Sequence, residues 1–206
     1  MEEKLFGEDG GRLDPFAVCA VWLKKAAETE PHGGTAAMLA TADAKGRPSV
    51  RAVLLKEFDT GGFVFYTNTK SRKGYDLAEN PQAALNFYWP SLERQLRIEG
   101  GVTAVADAEA DEYFASRPRG SRIASIASDQ SSPLERRDAY EEKIAALEVQ
   151  YAGTDDIPRP AHWSGYRLAP LAIEFWQGEM YRAHRRRLFT RPAPDTAGWH
   201  STLLYP

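Results

Sequence analysis

Between residues 35 and 106 the chain is cut into short apolar or alternating runs: TAAMLATA, SVRAVLLKEF, GFVFYTN, QAALNFYW and RQLRIEGGVTAVA. The stretches between them, DAKG, DTGG, ENP and PSLE, are rich in turn formers. Short β-prone runs bounded by such residues read as strands. Parallel strands need a crossover of about a dozen residues or more, and most of these gaps are too short for one. An antiparallel sheet or barrel is therefore expected, interrupted once by a helix opening at Ser71 through SRKGYDLAEN.

Helices flank this core. In DPFAVCAVWLKKAAE, Asp14 is the expected N-cap and Pro15 stands in the first turn. Phe16, Cys19, Leu23 and Ala26 follow at helical spacing. DAEADEYFASR and SPLERRDAYEEKIAALEVQYAG read as two more helices, followed by the Pro-rich connection DDIPRPAHW. Then YRLAPLAIEFWQG, RLFTR and WHSTLLY return to strand texture. These last strands are too little to make a core alone, so they are expected to rejoin the first sheet. The expectation is a mainly β protein with peripheral helices (α+β), built as a flexible N-terminal segment over 1–13 and a single domain over 14–206.

Composition excludes several functions. The 206 residues carry a formal net charge of −3, which argues against a general nucleic-acid binder. Cys19 is the only cysteine, so no intrachain disulfide forms, and a reducing compartment suits the chain. No apolar run reaches the ~18 residues that suggest a membrane span. The acidic start MEEKLFGEDGGRLDP does not read as a signal peptide, and a cytoplasmic location is expected. The histidines at 32, 162, 184 and 200 match no metal-ligand spacing.

Positive charge nevertheless collects at three places. In RAVLLK, strand alternation puts Arg51 and Lys56 on opposite faces. In YTNTKSRKG, Arg72 and Lys73 follow Ser71 where a helix should start. Cations there oppose the helix dipole, whereas a phosphate bound to the free N–H groups reverses the sign of the effect. In YFASRPRGS, Tyr113, Arg117 and Ser121 recur every four residues, and Pro118 breaks the helix among them. This reads either as a second phosphate site or as a helix end with a well-placed cation. Finally, YRAHRRR puts four arginines and one histidine within residues 182–187. A nucleic-acid patch, a solvated turn and a pocket for a phosphorylated small molecule compete for that stretch.

Seven motifs occur in a fixed order: RAVLLK, FVFYTNTKSRKG, LERQLRIEG, YFASRPRGS, SDQSS, EFWQG and RAHRR. From about residue 14 to the C-terminus the chain resembles the pyridoxine/pyridoxamine 5'-phosphate oxidase family. The resemblance implies an FMN-binding split β-barrel and a homodimer with FMN sites at the interface. It implies oxidation of pyridoxamine or pyridoxine 5'-phosphate to pyridoxal 5'-phosphate, with O2 reduced to H2O2. By motif match, Arg51, Lys56, Tyr66, Thr67, Arg72 and Lys73 would hold FMN, with Gln95, Gln130, Ser131, Trp176 and Arg186 completing that site. Lys56, Tyr113, Arg117 and Ser121 would hold the substrate phosphate. Arg182 and His184 would lie against the substrate ring as the catalytic pair, sharing a strand face with Arg186, while Arg185 and Arg187 point to solvent.

The chain departs from the family pattern in places. Arg185 stands where an acid is usual, and Leu203 stands where an arginine is usual. A related split-barrel oxidase of the phenazine-pathway type and a non-catalytic FMN or pyridoxal phosphate binder are the alternatives.

Overall fold

The computed structural model describes residues 2–206. Nine strands form one antiparallel sheet: β1 (Ala36–Ala42), β2 (Pro48–Leu54), β3 (Glu57–Asp59), β4 (Gly62–Asn68), β5 (Gln82–Trp89), β6 (Arg94–Ala104), β7 (Trp163–Gln177), β8 (Arg185–Thr190) and β9 (His200–Leu204). The described residues also form six α-helices: α1 (Glu2–Leu5), α2 (Pro15–Thr29), α3 (Arg72–Glu79), α4 (Asp107–Ser116), α5 (Arg119–Ala127) and α6 (Arg137–Gln150). The strand order is β2-β1-β5-β6-β7-β4-β3, with β8 on β7 and β9 on β8.

β7 is the branch point. One edge pairs with β6 along most of its length. On the other edge Trp163–Leu168 pairs with β4, and Ala172–Gln177 pairs with β8. The last strands thus rejoin the first sheet, and the architecture is a mainly β, split antiparallel barrel. A bulge between Glu99 and Gly100 bends β6 against β7. A Cβ on Gly100 would lie 2.0 Å from the Ala169 carbonyl oxygen, so only glycine allows that approach.

The run 49–58, expected as one strand, breaks in two. The Leu55 amide donates to Thr35 O at 2.9 Å, and the next amide, Lys56, donates to Val64 O at 2.9 Å. Consecutive residues therefore join opposite ends of the sheet, and Lys56 sits at the corner. α2 fills the interior. Asp14 Oδ1 accepts from the Phe16 amide at 3.1 Å to cap it, and Trp22, nearly inaccessible, meets the Phe175 ring edge-on at 5.1 Å.

Among the described residues before Asp14, Leu5 and Gly10 are buried, so this stretch does not trail free. Leu5 is fully buried in the main core, and Arg187 Nη2 donates to Gly7 O at 2.7 Å. α5 is a helix beyond those the sequence texture suggests. Pro118 ends one helix, as expected, and then serves as N-cap of another. Proline's fixed φ suits a helix start as well as a helix stop.

Candidate active site

The first group of expected residues gathers around the start of α3. Ser71 is its N-cap, but the hydroxyl caps no amide: Oγ donates to Asn68 O at 2.7 Å and accepts from Lys73 Nζ at 2.9 Å. The N–H groups of the first turn are left to point outward. Lys73, buried, also donates to Gln130 Oε1 at 2.6 Å, and Thr67 Oγ1 lies 3.4 Å from the same oxygen. Arg51 is fixed from β2 by bonds to Thr41 Oγ1 and Ser49 Oγ at 2.7 Å each and to Leu39 O at 3.0 Å. Thr41 Oγ1 in turn donates to Asp76 Oδ2 at 2.6 Å. Arg51, Arg72, Lys73, Gln130 and Ser131 line one hollow of about 410 Å³.

This cluster lacks negative charge. Asp76, 3.6 Å from Arg51, is the one carboxylate paired with these cations among the described residues. Burial lowers the pKa of Lys73 to about 8, and the charge of Arg51 pushes in the same direction. Arg51 is itself held below the usual arginine range, first by burial and also by Arg72, against the pull of Asp76. Three mutually repelling cations beside an uncapped helix start make a site for a phosphate-sized anion.

An adjoining cleft of about 470 Å³ shares Lys73 and Gln130 with the first hollow and is lined also by Lys56, Tyr66, Thr67, Tyr113, Arg117 and Ser121. The Tyr66, Tyr113 and Trp163 rings lie nearly parallel, Tyr66 being 4.0 Å from Tyr113 and 5.2 Å from Trp163. Arg117 lies over Trp163 at 4.9 Å and donates to Ser125 Oγ at 2.7 Å. Burial lowers its pKa, and no carboxylate pairs with it among the described residues. The Tyr66 hydroxyl is buried without a hydrogen-bond partner among the described residues, and burial is the main reason its pKa is raised. Unpaired buried polar groups of this kind are what a ligand satisfies.

A second group lies apart from these clefts. Gln95 on β6 faces Trp176 on β7, and Trp176 faces Arg186 on β8. Arg186 Nε donates to Glu174 Oε1 at 2.8 Å, and the buried Glu174 also accepts from Arg97 at 2.5 Å. The bond to Glu174 raises the Arg186 pKa. His184 packs its ring 4.7 Å from Trp176.

Two expectations for this stretch are corrected. Arg182 and His184 are not on a strand face with Arg186, because pairing of β7 with β8 stops at Gln177 opposite Arg185. Both residues stand in the connecting turn, where Tyr181 and Arg182 adopt left-handed backbone with φ of 57° and 61°. Each such residue costs about 1–3 kcal/mol, so the turn is held by its surroundings. Arg187 is not solvated but buried, donating to Ser201 Oγ at 2.6 Å as well as to Gly7 O. The sequence reading did not single out Asp76, Ser125, Trp163 or Glu174 as site-supporting residues. Glu174 carried a signal, since an acid inside LAIEFW has to be paired if that strand is buried. Asp76 and Ser125 meet their arginines only in three dimensions.

Residues 23–151 match the family described as "Pyridoxamine 5'-phosphate oxidase". The chain belongs to the pyridoxamine 5'-phosphate oxidase family. Residues 163–206 match the "Pyridoxine 5'-phosphate oxidase C-terminal dimerisation region", which contains Trp176, Arg182, His184 and Arg186. The chain is 55% identical over 195 residues to a pyridoxine/pyridoxamine 5'-phosphate oxidase of Gluconobacter oxydans, covering 95% of this chain and 96% of that one. A protein of the same name from Brucella canis is 52% identical over 193 residues, covering 94% of each. Among solved structures, PhzG from Burkholderia lata 383 in complex with tetrahydrophenazine-1-carboxylic acid superposes with a TM-score of 0.87 at 31% identity, covering 98% of this chain and 96% of that chain. An FMN-binding, pyridoxamine 5'-phosphate oxidase-related protein of Nostoc punctiforme shares the fold, with a TM-score of 0.75 at 19% identity over 94% of this chain and 99% of that chain.

Proposed function

We propose that this family member is an FMN-dependent oxidase that converts pyridoxamine and pyridoxine 5'-phosphates to pyridoxal 5'-phosphate while reducing O2 to H2O2. For the amine the balance is substrate, O2 and water in, and pyridoxal 5'-phosphate, ammonia and H2O2 out. The observation that carries the reading is the convergence of Arg51, Arg72 and Lys73 on the uncapped start of α3, where Asp76 is the one carboxylate paired with them among the described residues.

Those residues fit the FMN phosphate, aided by Thr67, Gln130 and Ser131, with Tyr66 and Lys56 alongside. Lys56, Tyr113, Arg117 and Ser121 take the substrate phosphate in the adjoining cleft. Arg117 is already oriented by Ser125 and Trp163, so little freedom is lost when it grips an anion. When bound, FMN supplies the two-electron oxidation of the substrate carbon and the return of those electrons to dioxygen.

The first group belongs with the second group of another protomer in a homodimer. Gln95, Trp176 and Arg186 complete the flavin pocket from the partner, and the partner's Arg182 and the partner's His184 cover the substrate ring. Support for this arrangement lies beside the first hollow. Val50, Ala52 and Leu54 of β2 face outward on the same side as Met38 and Ala40 of β1, with Ala52 opposite Met38 and Val50 opposite Ala40. Tyr88 extends that exposed apolar face onto β5, and the apolar face is the kind a symmetric partner covers. We read residues 14–206 as one domain, because β7 binds strands from both halves of the chain. We place the reaction in the cytoplasm; no helix among the described residues is long and apolar enough to cross a membrane, and the single cysteine suits a reducing compartment.

A second reading draws on the 31% identity to PhzG: a substrate bearing a carboxylate in place of the phosphate. The test is an aerobic assay with product analysis. Equal yields of pyridoxal 5'-phosphate and H2O2 from pyridoxamine 5'-phosphate support the main reading. Failure with that substrate together with turnover of a tricyclic carboxylate supports the second.

A further inference from the structure

The turn between β7 and β8 carries two left-handed residues and the two residues expected at the substrate ring, yet little of it is buried. Tyr181 is 96% exposed. Its neck is closed by an ion pair, Arg185 Nη2 to Glu179 Oε1 at 2.5 Å. The backbone N–H of that same Glu179 donates to His184 Nδ1 at 3.2 Å. Arg185 in turn lies 5.1 Å over the ring of Phe6, from the N-terminal segment that Arg187 ties to β8 through Gly7.

We propose that Arg185 is a positioning residue: clamped between Phe6 and Glu179, it fixes the 179–184 turn so that His184 keeps its proton on Nε2 and presents that N–H to substrate.

A neutral imidazole has one donor and one acceptor nitrogen. A backbone N–H can only donate, so Nδ1 must accept, and the ring proton lies on Nε2. The bond from Glu179 depends on where its backbone stands, and the Glu179 side chain is the one anchored to Arg185. Trp176 limits rotation of the imidazole from the other side. A partly exposed ion pair contributes little to global stability. Here it has only to bias one short turn between conformations, and the contact with Phe6 adds to that bias. The charge reversal at this position thus has a structural counterpart on this chain, Glu179.

The inference rests on the proposed function only in giving His184 a substrate to meet; the ring state is measurable without one. Long-range nitrogen–proton NMR of the imidazoles at alkaline pH, with His184 assigned through His184→Asn, reports the tautomer in the intact protein. Wild type is expected to show one tautomer, unprotonated at Nδ1. Arg185→Ala is expected to show a mixture, and Arg185→Lys to restore the single form. In turnover, Arg185→Ala and Glu179→Gln should each raise KM for pyridoxamine 5'-phosphate roughly five- to tenfold, with FMN affinity unchanged. The double variant should be no worse than either single one. An unchanged tautomer in Arg185→Ala, or fully additive kinetic effects, overturns the proposal. If wild type binds FMN but never oxidises the phosphorylated amine, the functional reading fails while the NMR result still decides this one.

Discussion

Lys73 Nζ donates to Gln130 Oε1 across 2.6 Å, joining the first turn of α3 to a loop 57 residues further along the chain. Gln130 cannot neutralise the ammonium; it only orients it. Burial and Arg51 keep the Lys73 pKa near 8, well below its ordinary 10.5. In the unfolded chain the amine holds its proton to the higher value, so between about pH 8 and about pH 10.5 the unfolded state binds more protons. The FMN-free protein should therefore gain stability as pH rises through that window. FMN affinity should move the other way, falling by up to about tenfold per pH unit above 8 as the ammonium is lost. Fluorescence titration of FMN at several pH values checks this, and Lys73→Gln should weaken binding and flatten the profile.

Arg117 has a different task. It should grip the substrate phosphate while leaving the flavin alone. Arg117→Ala is expected to raise KM for pyridoxamine 5'-phosphate by roughly 10- to 100-fold, the cost of one charge-assisted pair. FMN affinity should stay within about twofold of wild type. Arg117→Lys should rescue poorly, because an ammonium cannot keep both the Trp163 face and a two-pronged phosphate contact.

Separation of the two groups on one chain makes a complementation test possible. Lys73→Ala with Arg117→Ala disables the first group, and Arg182→Ala with His184→Ala disables the second. Each variant alone should lose nearly all activity. A mixed dimer of the two should regain one intact site, hence about half the wild-type rate per dimer. Sites contained within single protomers would leave the mixed dimer inactive.

Gly165 tests how the aromatic wall is supported. A Cβ there would sit 2.7 Å from Tyr66 Cε1 and 2.9 Å from Val105 Cγ2. Gly165→Ala should cost about 1–3 kcal/mol in denaturant unfolding. Displacement of Tyr66 should also weaken FMN binding more than an equal loss of stability caused elsewhere in the core.

How much of this was legible in the sequence depends on whether the cause is local. β4 and β5 lie where GFVFYTN and QAALNFYW stand, because turn residues flank them closely. Ser71 and Pro118 mark helix boundaries through their own backbone chemistry. Arg72 and Lys73 were legible as cations set against the dipole at a helix start; Arg51, on a separate strand, joined them only through the family resemblance. The burial of Arg187 was not, since its acceptors come from Gly7 and Ser201, far away in the chain. Nor was the turn holding Arg182 and His184: alternation suggested a strand, but the hairpin has to reverse before β8 begins. The corner at Leu55 and Lys56 depends on hydrogen bonds to two separate strand ends, which no short window contains.

The proposed function requires one site to hold a flavin and a phosphorylated B6 amine close enough to exchange two electrons. Anaerobic titration of the FMN-loaded protein with pyridoxamine 5'-phosphate tests it most directly. The oxidised flavin absorption should be lost, completely at one equivalent per FMN, with pyridoxal 5'-phosphate formed in equal amount and the colour restored by air. Tight binding of the amine with no bleaching at any concentration would contradict it.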